Sequence, residues 1–166
     1  WISRLKANGE TSMFYDAGGD DFPLSEKAHI VEGNALRIDW NSVLPASECN
    51  YIMGNPPFVG YSNHSAEQQK DRASLFGKVK TVDYVACWYK KAADHGDIES
   101  CFKLASIYEK TGNEKKAIRY YQIASDHGHQ IAKLYAGRLY FMQTNYEESK
   151  AYLEEPAKLN NIYALN

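Results

Sequence analysis

The sequence predicts a mixed α/β front segment running into an all-α back half. Three observations carry this. The runs "HIVE" (His29–Glu32) and "CNYIM" (Cys49–Met53) are short and apolar with few alternating polar positions, as in strands covered on both faces. The stretch "WYKKAADHGD" (Trp88–Asp97) returns as "YYQIASDHGH" (Tyr120–His129) at an offset of 32. Ten of the 13 tyrosines lie at or beyond Tyr84, so the two halves differ in composition.

Taken in order, residues 1–28 hold turn signals at Gly9, Gly18-Gly19 and Pro23 around one small apolar patch, Met13–Tyr15. A first strand is expected at 29–32 and a turn at Gly33-Asn34. "NSVLPASE" reads as a loop or short helical turn, and a second strand is expected at 49–53. In "SAEQQKDRASLFG", Ser65 with Gln68 three residues later forms a capping-box pattern, and Gly77 supplies a stop. A helix over 82–95 places Val82, Val85, Ala86, Tyr89, Ala92 and Ala93 on one stripe and ends at Gly96.

Beyond it the chain repeats. Tyr108 maps to Tyr140, Asn113 to Asn145 and Tyr120 to Tyr152, all at the same offset of 32. A period in the low thirties with two helices per unit marks an α-hairpin solenoid. Helices are expected at 98–110, 114–127, 130–142 and 146–159, with Gly112, Gly128 and Asn145 in the turns. Ala105, Ala117, Ala124, Ala132 and Ala136 would let neighbouring helices approach, while Phe102 and the tyrosines fill the spaces between.

A net charge of -2 demands neither nucleic acid nor a membrane, so any DNA contact must come from a local patch. No apolar run is long enough to span a bilayer. Cys49, Cys87 and Cys101 show no metal-type spacing, so no metal site is expected, and reduced, mostly buried thiols in a cytoplasmic protein are expected. His95 and His127 occupy equivalent positions near helix C-termini, where a cation suits the helix dipole.

The chemistry concentrates in "YIMGNPPFVGY", Tyr51–Tyr61. Two prolines stiffen the backbone where an apolar run ends, and an amide there faces the crevice in which open α/β sheets bind ligands. Asn55, through its side-chain oxygen, and Pro56, through its carbonyl, can accept both protons of one planar amine. Phe58 offers a face for a ring to stack on.

On these residues "GNALRIDWNSVLPASECNYIMGNPPFVGYSNHSAEQQKDRASLFGKVKTVDYVACWY" resembles the adenine-specific DNA methyltransferases of large single-chain restriction-modification systems, over about 28–90. The resemblance implies a partial Rossmann-like methyltransferase segment of two or three strands and S-adenosylmethionine as methyl donor. It implies that Asn55, Pro56, Pro57 and Phe58 grip the amine of a flipped adenine. Gly33, Asn34 and Ala35 would contact the cofactor, Asn34 against its adenine ring. Lys70, Arg72, Lys78 and Lys80 follow the loop and could touch DNA phosphates, although Glu67 and Asp71 interrupt them and the plain alternative is a solvated helix face. The glycine-rich cofactor loop of that family has one candidate here, "FYDAGGDDF" (Phe14–Phe22), with no strand before it and no helix after. The segment is therefore expected to begin after that loop and to be inactive alone.

The back half, about 88–160, resembles Sel-one-like repeats, relatives of the tetratricopeptide repeats, which implies a protein-binding scaffold. Pro156 stands at an alanine position of that pattern, and the last unit lacks the closing glycine. The domains expected are 1–80 and 81–166, sharing a junction helix at about 82–95. The alternative to a methyltransferase segment is a non-catalytic repeat scaffold.

Overall fold

The computed structural model describes residues 30–79 and 81–158. The chain divides into two units, Trp1–Val31 and Glu32–Asn166. The features below belong to the second unless stated.

Among the described residues there is no strand, which overturns the expected Rossmann-like segment. A strand persists only by sharing its N–H and C=O groups with a neighbouring strand. In the first unit, Ile30 and Val31 are unpaired and exposed, and His29 lies outside the described residues. Residues 49–53 follow a 3-10 turn, Ala46–Glu48, and run extended without a ladder. Tyr51 and Met53, expected to be buried, face solvent. The glycine pair at Gly18-Gly19 also falls outside the described residues.

The described elements are helical. A short helix α1, Trp40–Val43, starts where the Asp39 side chain accepts from Asn41 N. Helix α2, Ala66–Phe76, carries the capping box: Ser65 Oγ accepts from Gln68 N, and Gln68 Oε1 accepts from Ser65 N. Gly77 ends it at φ 63. Helix α3, Val85–Asp94, buries Ala86, Cys87, Ala92 and Ala93, with Val82 and Tyr84 buried just ahead of it. The α1 region is fastened to α3 through Trp40, whose Nε1 donates to Ala35 O at 2.8 Å and whose ring meets His95 edge-on. Lys91 Nζ, lying over the same ring, donates to Ile38 O at 2.7 Å.

Four 13-residue helices follow at a constant interval: α4 (Ile98–Lys110), α5 (Glu114–Asp126), α6 (Gln130–Met142) and α7 (Tyr146–Lys158). Each packs on the next. Their joints repeat a backbone bond spanning five residues: Asp97 N to Ala92 O, Asn113 N to Tyr108 O, His129 N to Ala124 O and Asn145 N to Tyr140 O. Each joint needs one left-handed residue, filled by Gly96, Gly112, Gly128 and, at φ 61, Thr144. Two tyrosine pairs 32 residues apart, Tyr108–Tyr120 and Tyr140–Tyr152, both stack at 5.7 Å. The core is lined with small residues: Ala105, Ala117, Ala124, Ala132 and Ala136 are fully buried. Gly137 belongs with them, because a Cβ there would lie 2.6 Å from Leu153 Cγ.

Candidate functional site

Asn55-Pro56-Pro57-Phe58 sits in an irregular segment projecting from the helices. Asn55, Pro57 and Phe58 are exposed, Phe58 by 77%, and Pro56 is half-buried. Neither the Asn55 amide nor the Pro56 carbonyl has a hydrogen-bond partner among the described residues. Both are free acceptors beside an open aromatic face. The prolines fix two φ angles, so little backbone freedom is lost when a ligand docks.

The segment is held at its downstream end. Val59 N closes a tight turn onto Pro57 O at 3.1 Å. The Val59 carbonyl accepts from Tyr84 N at 2.9 Å and from His64 Nε2 at 3.2 Å. Two residues on, Tyr61 N donates to Asp83 Oδ1.

The Gly33-Asn34-Ala35 turn is tied to α2. Asn34 Oδ1 accepts from Leu36 N at 2.9 Å, and its Nδ2 donates to Asp71 Oδ2 at 3.2 Å. Asp71 is 5% exposed and also accepts from Arg37 Nε and the Tyr84 hydroxyl, each at 2.8 Å. Burial pushes this carboxyl up, but the bonds from Arg37, Tyr84 and Asn34 outweigh it and hold Asp71 below the usual carboxylate range. Burial, followed by the bond to Asp71, raises Tyr84 well above an ordinary phenol. Asp71 is thus a buried hub, contrary to its reading as part of a solvated helix face. Arg37, His64, Asp71 and Tyr84 drew no functional reading from the sequence. The available signal was Asp71 four residues before Leu75, a carboxylate on the same stripe as an apolar residue.

The basic residues differ among themselves. Lys70 is exposed beside an open concavity that it lines with Arg37, Glu67, Asp71 and Ser74. Arg72 turns inward, Nη1 donating to Val79 O while Nε is buried without a partner. Lys78 is exposed, and Lys80 lies outside the described residues. Among the described residues no three His, Cys, Asp or Glu side chains are placed to hold a metal ion. The thiols of Cys87 and Cys101 are buried and pushed up to about 11, which keeps them protonated and inert at neutral pH. His127 Nδ1 donates to Ile123 O at 2.8 Å, at the C-terminal end of α5.

The family described as MmeI, DNA-methyltransferase domain, matches residues 1–136. The chain belongs to this family. The match runs past the expected junction, through α4 and α5 and into α6. DNA methyltransferase A of Bacillus subtilis (strain 168) is 36% identical over 95 residues, which is 54% of this chain and 11% of that protein. The chain therefore spans about a tenth of that relative's length. No solved structure matches it. Among the described residues no helix is long and apolar enough to cross a membrane.

DNA methyltransferases draw their methyl group from S-adenosylmethionine, and at the described positions expected to contact it the polar groups are engaged within the protein. Both ends of the Asn34 amide are engaged within the protein. The space above Gly33 is taken by Ile38, whose Cδ1 would lie 2.9 Å from an added Cβ.

Proposed function

We propose that this chain is the base-holding part of a DNA adenine methyltransferase, joined to a helical module that binds protein, and that it does not transfer methyl groups by itself. What carries the reading is a family match that includes an exposed Asn-Pro-Pro-Phe loop with unpartnered acceptors. Asn55 Oδ1 and the Pro56 carbonyl accept hydrogen bonds from the two N–H groups of an adenine amine, and Phe58 covers the ring of a base turned out of the helix. Accepting from both N–H groups localises the nitrogen lone pair and raises its nucleophilicity. Lys70 and Lys78 supply phosphate contacts that place the strand without reading its sequence.

The test is titration with an oligonucleotide carrying 2-aminopurine immediately beside an adenine, so that the adenine keeps the 6-amino group and the neighbouring probe reports its unstacking. Fluorescence should rise on binding, and the rise should vanish in Asn55→Ala. An equal rise in Asn55→Ala overturns the reading. Calorimetry with S-adenosylmethionine should show no heat; tight one-to-one binding would overturn the inactivity of the isolated chain.

For the helical half we adopt Sel-one-like repeats serving as a protein-binding scaffold. The constant interval of α4–α7 and the two tyrosine stacks 32 residues apart support it. A purified partner whose binding survives Asn55→Ala and is lost on deleting 98–166 fits this assignment. Binding that survives the deletion contradicts it.

A further inference from the structure

We propose that His64 and Tyr84 are positioning residues that clamp the base-holding loop through one atom, the carbonyl oxygen of Val59. The inference rests on the reading of Asn55–Phe58 given above and adds what orients that loop.

Residues 51–58 make almost no hydrogen bonds to the body. Besides the Pro57–Val59 turn, the one hydrogen bond made by their backbone is a weak one, Cys49 Sγ to Tyr51 O at 3.5 Å. One residue past Phe58 the situation reverses. The Val59 carbonyl receives two donors from different parts of the chain, Tyr84 N and His64 Nε2. A carbonyl has two lone pairs, and here both are used, which fixes the direction of the peptide plane as well as its position.

Each donor is itself held. The Tyr84 hydroxyl donates to buried Asp71 and its ring meets the His64 ring edge-on at 5.7 Å. The backbone carbonyl of His64 accepts from Gln69 Nε2 on α2 at 3.1 Å. His64 is 7% exposed, and its Nδ1 is buried without a partner. Because Val59 O can only accept, Nε2 is the donor, and Nδ1 is left buried with no bond of its own. Burying that unpaired nitrogen costs free energy that packing alone does not require, since an apolar side chain would fill the same space. The bond to Val59 is what the imidazole contributes.

Asp71 extends the arrangement. It accepts from Arg37 on Oδ1 and from both Asn34 and Tyr84 on Oδ2, so the turn at 33–37 and the base-holding loop share one buried carboxylate.

The experiment uses the full 166-residue chain and two variants, His64→Leu and His64→Gln. Leucine fills the site without a donor; glutamine places an amide N–H near the position of Nε2. Amide hydrogen exchange is the first readout. In His64→Leu, exchange at residues 59–61 should rise about tenfold, the loss of one hydrogen bond. Exchange within Cys101–Tyr108 should stay unchanged, and His64→Gln should restore protection. Unchanged exchange at 59–61 in His64→Leu overturns the clamp, and so does a rise confined to α2, which would mark His64 as support for that helix alone. The 2-aminopurine titration is the second readout. If Asn55→Ala abolishes the signal while His64→Leu binds like the unaltered chain, the loop reading stands and the clamp fails. If Asn55→Ala changes nothing, the loop reading fails, and the exchange result still decides whether His64 holds Val59.

Discussion

Replacing Asp71 by asparagine probes the hub with almost no change of shape. Arg37 donates to Oδ1, while Tyr84 and Asn34 both donate to Oδ2. An amide keeping its oxygen toward Arg37 turns its NH2 toward the other two. The Tyr84 hydroxyl can rotate and accept. Asn34 cannot reverse its own amide without setting a donor against Leu36 N–H, so two donors face each other. The variant therefore turns the Arg37 ion pair into a bond to a neutral oxygen and exchanges the other two charge-assisted bonds for one neutral bond and one repulsive contact, a loss of about 2–4 kcal/mol. For a chain of this length that is roughly 5–15 °C in melting temperature, measured by circular dichroism at pH 7. The pH dependence follows from the sign of the shift. The folded carboxyl is held below its ordinary value of 3.8, so its contribution is fully present above that value and disappears as pH falls through the lower folded value. The gap between the two proteins should narrow below about pH 4 and be constant above pH 5. A melting temperature within 2 °C of the parent at pH 7, or a gap that persists into strong acid, would refute the hub.

Three further predictions test the helical half by thermal or urea unfolding. Thr144→Gly should stabilise the chain by about 0.5–1 kcal/mol, because relief of a β-branched residue at φ 61 exceeds the entropy glycine adds to the unfolded state; destabilisation would show that Thr144 contributes more than strain. Gly137→Ala should destabilise by about 1–2 kcal/mol, since overpacking against Leu153 outweighs the better helix propensity of alanine. Leu104→Ala, at a side chain with no exposure, should cost about 2–5 kcal/mol, and a loss under 1 would mean the core collapses to fill the gap.

The sequence was most legible where structure is local and periodic. Helices at 98–110 and 130–142 fall where the repeat placed them, because each joint is written in a left-handed residue followed by a cap. Ser65 and Gln68 announced α2 for the same reason. The strands failed on non-local grounds: Ile30-Val31 and Tyr51–Met53 are apolar enough, yet a ladder needs a second strand, and composition cannot say whether one is beside them. Asn55 and Phe58 were legible as an unusual string, and the structure adds that both are exposed and that Asn55 is unpartnered. Asp71 was misread because its partners Asn34 and Arg37 lie more than 30 positions away, beyond any helical spacing. His64 carried no motif at all; its role comes from where Val59 ends up.

The even cadence of α4 to α7 has a thermodynamic corollary. When each rung leans chiefly on its immediate neighbours, stability accumulates by addition, and one rung can loosen without collapsing the whole at once. A chain shortened to Met142 would then forfeit the α6–α7 contact, while the corner around Val59, far earlier in the sequence, kept its protection.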